Sequence, residues 1–293
     1  MSDAHSQTQI GHLIQLINDR DEFVRTRVRQ QLIELGEDAL PFLEIAEKEE
    51  NPSLQTRVRE IIRVLYLRRL EEKFRRLAAS APLGHMDLEE GMMLIMEFGY
   101  PESDPHEVRK TLDSFAGQLK KRISPQDPPR RVVERLTQFL FIEKGFCGNE
   151  ENYYDPDNCY INKILERNTG LPITLSALSI LVAKRLGEPI VGVGLPGHYI
   201  AKYDSATDPV YFDPFKRGCI VTREECVELV GRLGYRFEER HILPSTNGET
   251  LARMMNNLVN MYSQKQELEK ARQMEGLVRT LLKPHEDNPS RPV

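Results

Sequence analysis

The chain of 293 residues has no tryptophan, only four cysteines and only seven histidines. Cys147, Cys159, Cys219 and Cys226 form no C-x-x-C pair and are too few for a disulfide scaffold, so they read as reduced thiols. The histidines are scattered without metal-ligand spacing, which excludes a recognisable zinc site; neither a metal nor any other cofactor is expected. No apolar run approaches the roughly 18 residues of a membrane span, and residues 1–10 lack the charged-then-apolar order of a secretion signal. A cytoplasmic protein without a membrane partner is the expectation. There is also no excess of positive charge: 40 Lys and Arg stand against 45 Asp and Glu. That balance argues against a chain that coats nucleic acid or an anionic surface.

What remains is an ordinary globular composition, 40% hydrophobic with 18 Gly and 18 Pro, at a length that suits two domains or one with appendages. From Ile10 to about Leu77 apolar residues recur at helical spacing, broken at Asn18-Asp19, at Gly36 and at Asn51-Pro52-Ser53. Thr26-Arg27-Val28-Arg29 returns as Thr56-Arg57-Val58-Arg59, thirty positions later. With Asp21, Val24, Arg25 and a Leu35-Gly36 ending, this stretch resembles a degenerate HEAT-type helical repeat. A plain helical bundle with a chance tetrapeptide is the alternative. The arginines of 57–76 alternate with Glu60, Glu71 and Glu72, which describes a solvated helix face; an RNA- or membrane-surface adaptor is the sharper reading, without aromatic residues to stack on bases.

After a linker at Ala79 to Gly84, helices are predicted at Leu88 to Phe98, Glu107 to Ile123 and Arg130 to Ile142. Gly145 to Asn158 is polar and turn-rich, with no regular element expected. A short helix, Tyr160 to Arg167, precedes Leu175 to Leu186, which is apolar almost all round and therefore central. The pattern then changes to three or so β-branched and aromatic strands, Pro189 to Gly194, His198 to Tyr203 and Val210 to Asp213, which imply an antiparallel sheet. Arg223 to Leu233 returns to helix. Gly192 to Gly197 spells G-x-G-x-x-G, yet no helix follows to hold a pyrophosphate, so nucleotide binding is rejected. Thr250 to Leu282 reads as a helical hairpin with one tetratricopeptide-like repeat, and 285–293 as a disordered tail. The fold class is thus α+β, predominantly helical, divided as 1–80, 84–245 and 246–284.

The order helix, strand, His198, strand, Asp213-Pro214 resembles the transglutaminase-like core, a papain-like arrangement. Within it, Gly145-Phe146, Gly148-Asn149, Tyr154-Asp155-Pro156-x-Asn158, Gly170-x-Pro172-Ile173-Thr174-Leu175-Ser176, Arg185-Leu186-Gly187, Gly194-x-Pro196-Gly197-His198-Tyr199 and Phe212-Asp213-Pro214-Phe215 are similar to the bacterial SirB-type proteins, over about Leu88 to Pro284. The resemblance implies a triad: a cysteine at the start of the central helix, His198 as base and Asp213 as orienter. No cysteine lies at Pro172 to Thr174, where that nucleophile belongs. Thr174, Ser176 or Cys159 would have to replace it, while helix-capping is the plain role for the two hydroxyls. The preferred expectation is a non-catalytic or degenerate core that binds an unknown protein partner. The rival is a thiol- or hydroxyl-dependent acyl-transfer enzyme. The oligomeric state is left open.

Overall fold

The computed structural model describes residues 2–286; most of the expected disordered tail, 287–293, lies outside them. The chain divides into two compact units, Met1–Lys73 and Phe74–Val293. Among the described residues the first holds α1 (Ser2–Gln15), α2 (Glu22–Leu35), α3 (Leu40–Ala46) and the start of α4 (Pro52–Ser80). Asp21 opens α2 by accepting the Phe23 N–H at 2.8 Å, and Gly36 closes it at φ +64°. The two Thr-Arg-Val-Arg copies bury Val28 and Val58 in one apolar cluster with Leu32, Leu43 and Ile61. The arginines of the α4 run are engaged locally: Arg59 with Glu47 at 2.8 Å, Arg68 with the Ile33 carbonyl at 3.1 Å. The expected linker at 79–84 begins inside α4, since Ala79 and Ser80 continue the helix and Pro82 follows its end.

In the second unit come α5 (Leu88–Gly99), α6 (Pro105–Lys120) and α7 (Pro129–Thr137), the last running on as a π-turn over Gln138–Glu143. The polar stretch that promised no regular element contains β1 (Cys147–Gly148) and a 3-10 turn at Pro156–Cys159. After α8 (Ile161–Arg167), β2 (Thr169–Gly170) pairs in parallel with β1. Two residues per strand leave no alternation to read in the sequence.

The central helix α9 spans Pro172–Leu186 and stops at Gly187, φ +78°. Thr174, Leu175, Ser176, Ala177, Leu178, Leu181 and Val182 on it are all buried. It packs on β3 (Ile190–Val193) and β4 (Ile200–Tyr203), which continue into β5 (Val210–Asp213) and β6 (Cys219–Val221). After α10 (Arg223–Arg232), β7 (Pro244–Ser245) adds to the other edge, for an antiparallel order β6-β5-β4-β3-β7. The fold is thus mostly helical α+β. The sheet has five strands where three were expected, because β6 and β7 are short edges.

The helical hairpin α11 (Asn247–Gln264) and α12 (Leu268–Glu286) completes the unit. It is bound into the core by specific contacts. Asn247 Nδ2 donates to the Met86 carbonyl at 2.7 Å, the Tyr199 and Thr250 hydroxyls are 2.8 Å apart, and those of Tyr160 and Tyr262 are 2.5 Å apart. At Gly91 in α5, a Cβ would stand 2.3 Å from Leu251 Cδ1, so only glycine admits the leucine there.

Candidate functional site

The sheet register brings His198 and Asp213 together. Ala201 of β4 pairs with Phe212 of β5, so the residue after Phe212 lies beside the turn that leads into β4. His198 sits in that turn, two residues before the strand in which the sequence placed it. Pro196 and Gly197, the latter at φ +75°, reverse the chain, and the His198 N–H bonds the Leu195 carbonyl at 3.1 Å. His198 Nε2 is 2.9 Å from Asp213 Oδ2, with the imidazole side chain 12% exposed and the carboxylate 2%. The other Asp213 oxygen accepts the Phe215 N–H at 3.0 Å, which fixes the carboxylate from behind. A neutral ring that donates through Nε2 keeps Nδ1 as an acceptor, the arrangement a general base requires.

A chain of rings surrounds the pair. Phe215 meets His198 edge to face with centroids 6.2 Å apart, Tyr153 meets Phe215 at 5.9 Å and Tyr154 meets Tyr153 at 5.3 Å. Gly148 leaves the room that Phe215 fills, for a Cβ there would be 2.4 Å from its ring. The loop beneath is ordered by buried Asn158, whose Nδ2 donates to the Asn152 carbonyl at 2.7 Å and whose Oδ1 accepts Asn149 Nδ2 at 2.9 Å.

None of the three nucleophile candidates is seen in partnership with this histidine. Thr174 Oγ1 accepts the Leu171 N–H at 3.0 Å and lies 2.8 Å from the Asn158 carbonyl, to which it donates. Ser176 donates to the Pro172 carbonyl at 2.8 Å. Both hydroxyls are fully buried and serve the start of α9. Cys159 is buried against α11, its Sγ 3.8 Å from Met261 Sδ. Burial, then the charges of Asp155 and Asp157, push its pKa far above the ordinary thiol value, which holds it as the inert thiol. Of the others, Cys147 is half-buried in β1, Cys219 is exposed, and burial followed by the Asp213 charge pushes Cys226 up to about 11. Among the described residues no group of three or more His, Cys, Asp or Glu could hold a metal ion.

One residue escaped the sequence reading. Arg253 of α11 donates through Nη2 to the carbonyls of Leu195, at 3.0 Å, and of His198, at 2.8 Å, which ties the histidine turn to the hairpin. Its guanidinium lies 5.4 Å from the Tyr199 ring centroid. A lone arginine on an amphipathic helix gives no such signal. Phe215 and Asn158, by contrast, stand in the motifs quoted above.

A central helix packed on a small antiparallel sheet that bears a His-Asp pair is the arrangement of a transglutaminase-like core. The chain belongs to the transglutaminase-like superfamily, which matches residues 106–256. It is 30% identical over 177 residues to a UPF0162 protein of Xylella fastidiosa strain 9a5c, covering 58% of this chain and 63% of that one. A UPF0162 protein of Vibrio cholerae is 23% identical over 173 residues, 58% of this chain and 64% of its own. F-box only protein 21 of the mouse is 31% identical over 144 residues, 45% of this chain and 22% of that protein. The chain therefore spans less than two thirds of the length of these curated relatives. No solved structure matches. Among the described residues no helix is long and apolar enough to cross a membrane.

Proposed function

We propose that this is a SirB-type protein of the cytoplasm whose transglutaminase-like core recognises a protein partner and carries out no acyl transfer. On this reading residues 1–80 form a HEAT-like module, 84–245 the core and 246–284 a tetratricopeptide-like hairpin. The observation that carries it is the state of the three groups that would have to act as nucleophile. Two hydroxyls are spent on backbone carbonyls and the one thiol is buried against Met261. Recurrence of the core within a small part of F-box only protein 21 fits a module that is combined with other parts.

The second reading is an acyl-transfer enzyme with His198 as base and Asp213 as orienter, and the 2.9 Å pairing of these two favours it. The rate of alkylation of each cysteine, followed by mass spectrometry from about pH 5 to 9 in the wild type and in His198→Ala, separates the first reading from the thiol form of the second. Exposed Cys219 is expected to react fastest, at an ordinary thiol rate, with Cys159 slow throughout and no rate changed by the variant. A cysteine that reacts rapidly at pH 6 and slows in His198→Ala would overturn the proposal and make this a thiol enzyme.

A further inference from the structure

The His198–Asp213 pair joins a fixed acceptor to a donor carried on a turn. Asp213 closes β5, its Oδ1 accepts the N–H groups of Phe215 at 3.0 Å and of Lys216 at 3.4 Å, and its side chain is buried. His198 lies outside the ladder. The pairing of β3 with β4 ends at Val193 and Ile200, so 194–199 form a connection whose backbone the sheet does not fix. Two side chains anchor its flanks: Leu195 in the apolar cluster of Val193, Ile200, Cys226 and Val230, and Tyr199 through the Thr250 hydroxyl at 2.8 Å.

Between these anchors, two planar peptide groups meeting at the His198 Cα set the direction of the imidazole. The first, shared with Gly197, is held by the His198 N–H on the Leu195 carbonyl at 3.1 Å. The second, shared with Tyr199, is held by the His198 carbonyl, which among the described residues accepts from Arg253 alone, at 2.8 Å. The same Nη2 reaches the Leu195 carbonyl at 3.0 Å, so one nitrogen clasps both ends of the turn. Arg253 is itself half-buried on α11, with its guanidinium over the Tyr199 ring. Two peptide planes fixed about one Cα fix its Cα–Cβ bond, and Nε2 is the far end of the ring which that bond carries. A tilt of about 20° there moves Nε2 by roughly 1.5 Å, enough to break its hydrogen bond.

We infer that Arg253 is a positioning residue of the site: by holding the His198 carbonyl from α11 it keeps the Nε2–H on Asp213 and leaves Nδ1 as the acceptor. The helical hairpin is then a working part of the His-Asp site. The inference goes beyond the proposed function, because it holds whether the pair serves recognition or acyl transfer.

The test uses the full chain and follows by NMR the rate at which the His198 Nε2–H proton exchanges with water. Arg253→Met keeps the stem and removes the donors, and should speed this exchange at least about ten-fold. Thr250→Val breaks the Tyr199 tie to the same helix with Arg253 in place, and should leave the rate within about two-fold of the wild type. Urea midpoints of each variant are measured alongside. An arginine with a purely structural role would lower the midpoint and leave the exchange rate unchanged, which would overturn the inference. Equal acceleration in Thr250→Val would do the same, since any loosening of α11 would then suffice. So would a wild-type proton that exchanges as fast as that of a free imidazole. Arg253→Lys, whose chain stops one bond short of Nη2, should speed exchange in the same direction and carries the test if the methionine variant does not fold. Thiol reactivity does not enter, so this result and the alkylation result fail separately.

Discussion

The seat of Leu251 on Gly91 sets how closely α11 approaches α5, and a double-mutant cycle measures it. Gly91→Ala introduces a methyl 2.3 Å and 2.6 Å from the two Leu251 methyls and 3.0 Å from its Cγ. Overpacking of this kind costs about 2 kcal/mol, offset by about 1 kcal/mol because alanine favours the helix over glycine. Leu251→Ala deletes a fully buried side chain and should cost about 3 kcal/mol. In the double variant the new methyl enters vacated space and the helical gain is kept, so the pair should be at least as stable as Leu251→Ala alone, a coupling of roughly 2 kcal/mol relative to additivity. Urea unfolding followed by tyrosine fluorescence is the assay. It reports on the right unit, since of the ten tyrosines only Tyr66 lies in the first. With a slope of about 2 to 3 kcal/mol per molar, Leu251→Ala should lower the midpoint by roughly 1 M. Strict additivity of the two single effects would refute the close approach of the two helices.

Two further outcomes follow from the same contacts. Tyr262→Phe leaves the buried Tyr160 hydroxyl without its partner and should cost about 1 to 3 kcal/mol in the same assay, whereas the Tyr160→Phe, Tyr262→Phe double variant should lie nearer the wild type. Asp87 caps α5 through the N–H groups of Glu89 and Glu90, at 2.9 and 3.2 Å, and Asp87→Ala should cost about 1 kcal/mol at neutral pH. Burial pushes this carboxyl upward, but those two donors and Lys184 outweigh it and hold the pKa below its ordinary value. The contribution is therefore present above about pH 4 and lost as pH falls through the lowered value, so the variant's deficit should shrink on acidification. Urea midpoints from pH 7 down to pH 3 check this.

Much of the architecture could be read from the chain because the signals were local. The apolar run before Gly187 gave α9, and β-branched residues between turns gave β3, β4 and β5 within a residue or two. The two-residue ladder of β1 with β2 and the edges β6 and β7 are too short to carry a period, so tertiary pairing alone defines them. The site divided in the same way. His198 and Asp213 stand in motifs with strands on each side, and strand register puts them within 2.9 Å of each other. The fates of Thr174, Ser176 and Cys159 depend on which carbonyl or sulfur lies opposite, and Arg253 acts across 55 positions of sequence, where no local pattern reaches.

The long reach of the α11 contacts bears on the order in which the molecule can be made. Asn247 bonds Met86 across 161 positions and Arg253 bonds His198 across 55. During vectorial synthesis α5 and strands β3 to β6 are made before the helix that closes over them, with β7 made immediately ahead of it. Until then the Leu251 seat on Gly91 stands open, the Leu195 and His198 carbonyls have no guanidinium, and apolar surface on α5 faces water. Nascent chains of this protein therefore pass through an interval in which a chaperone has something to hold, and ribosomes stalled between residues 200 and 250 should display it.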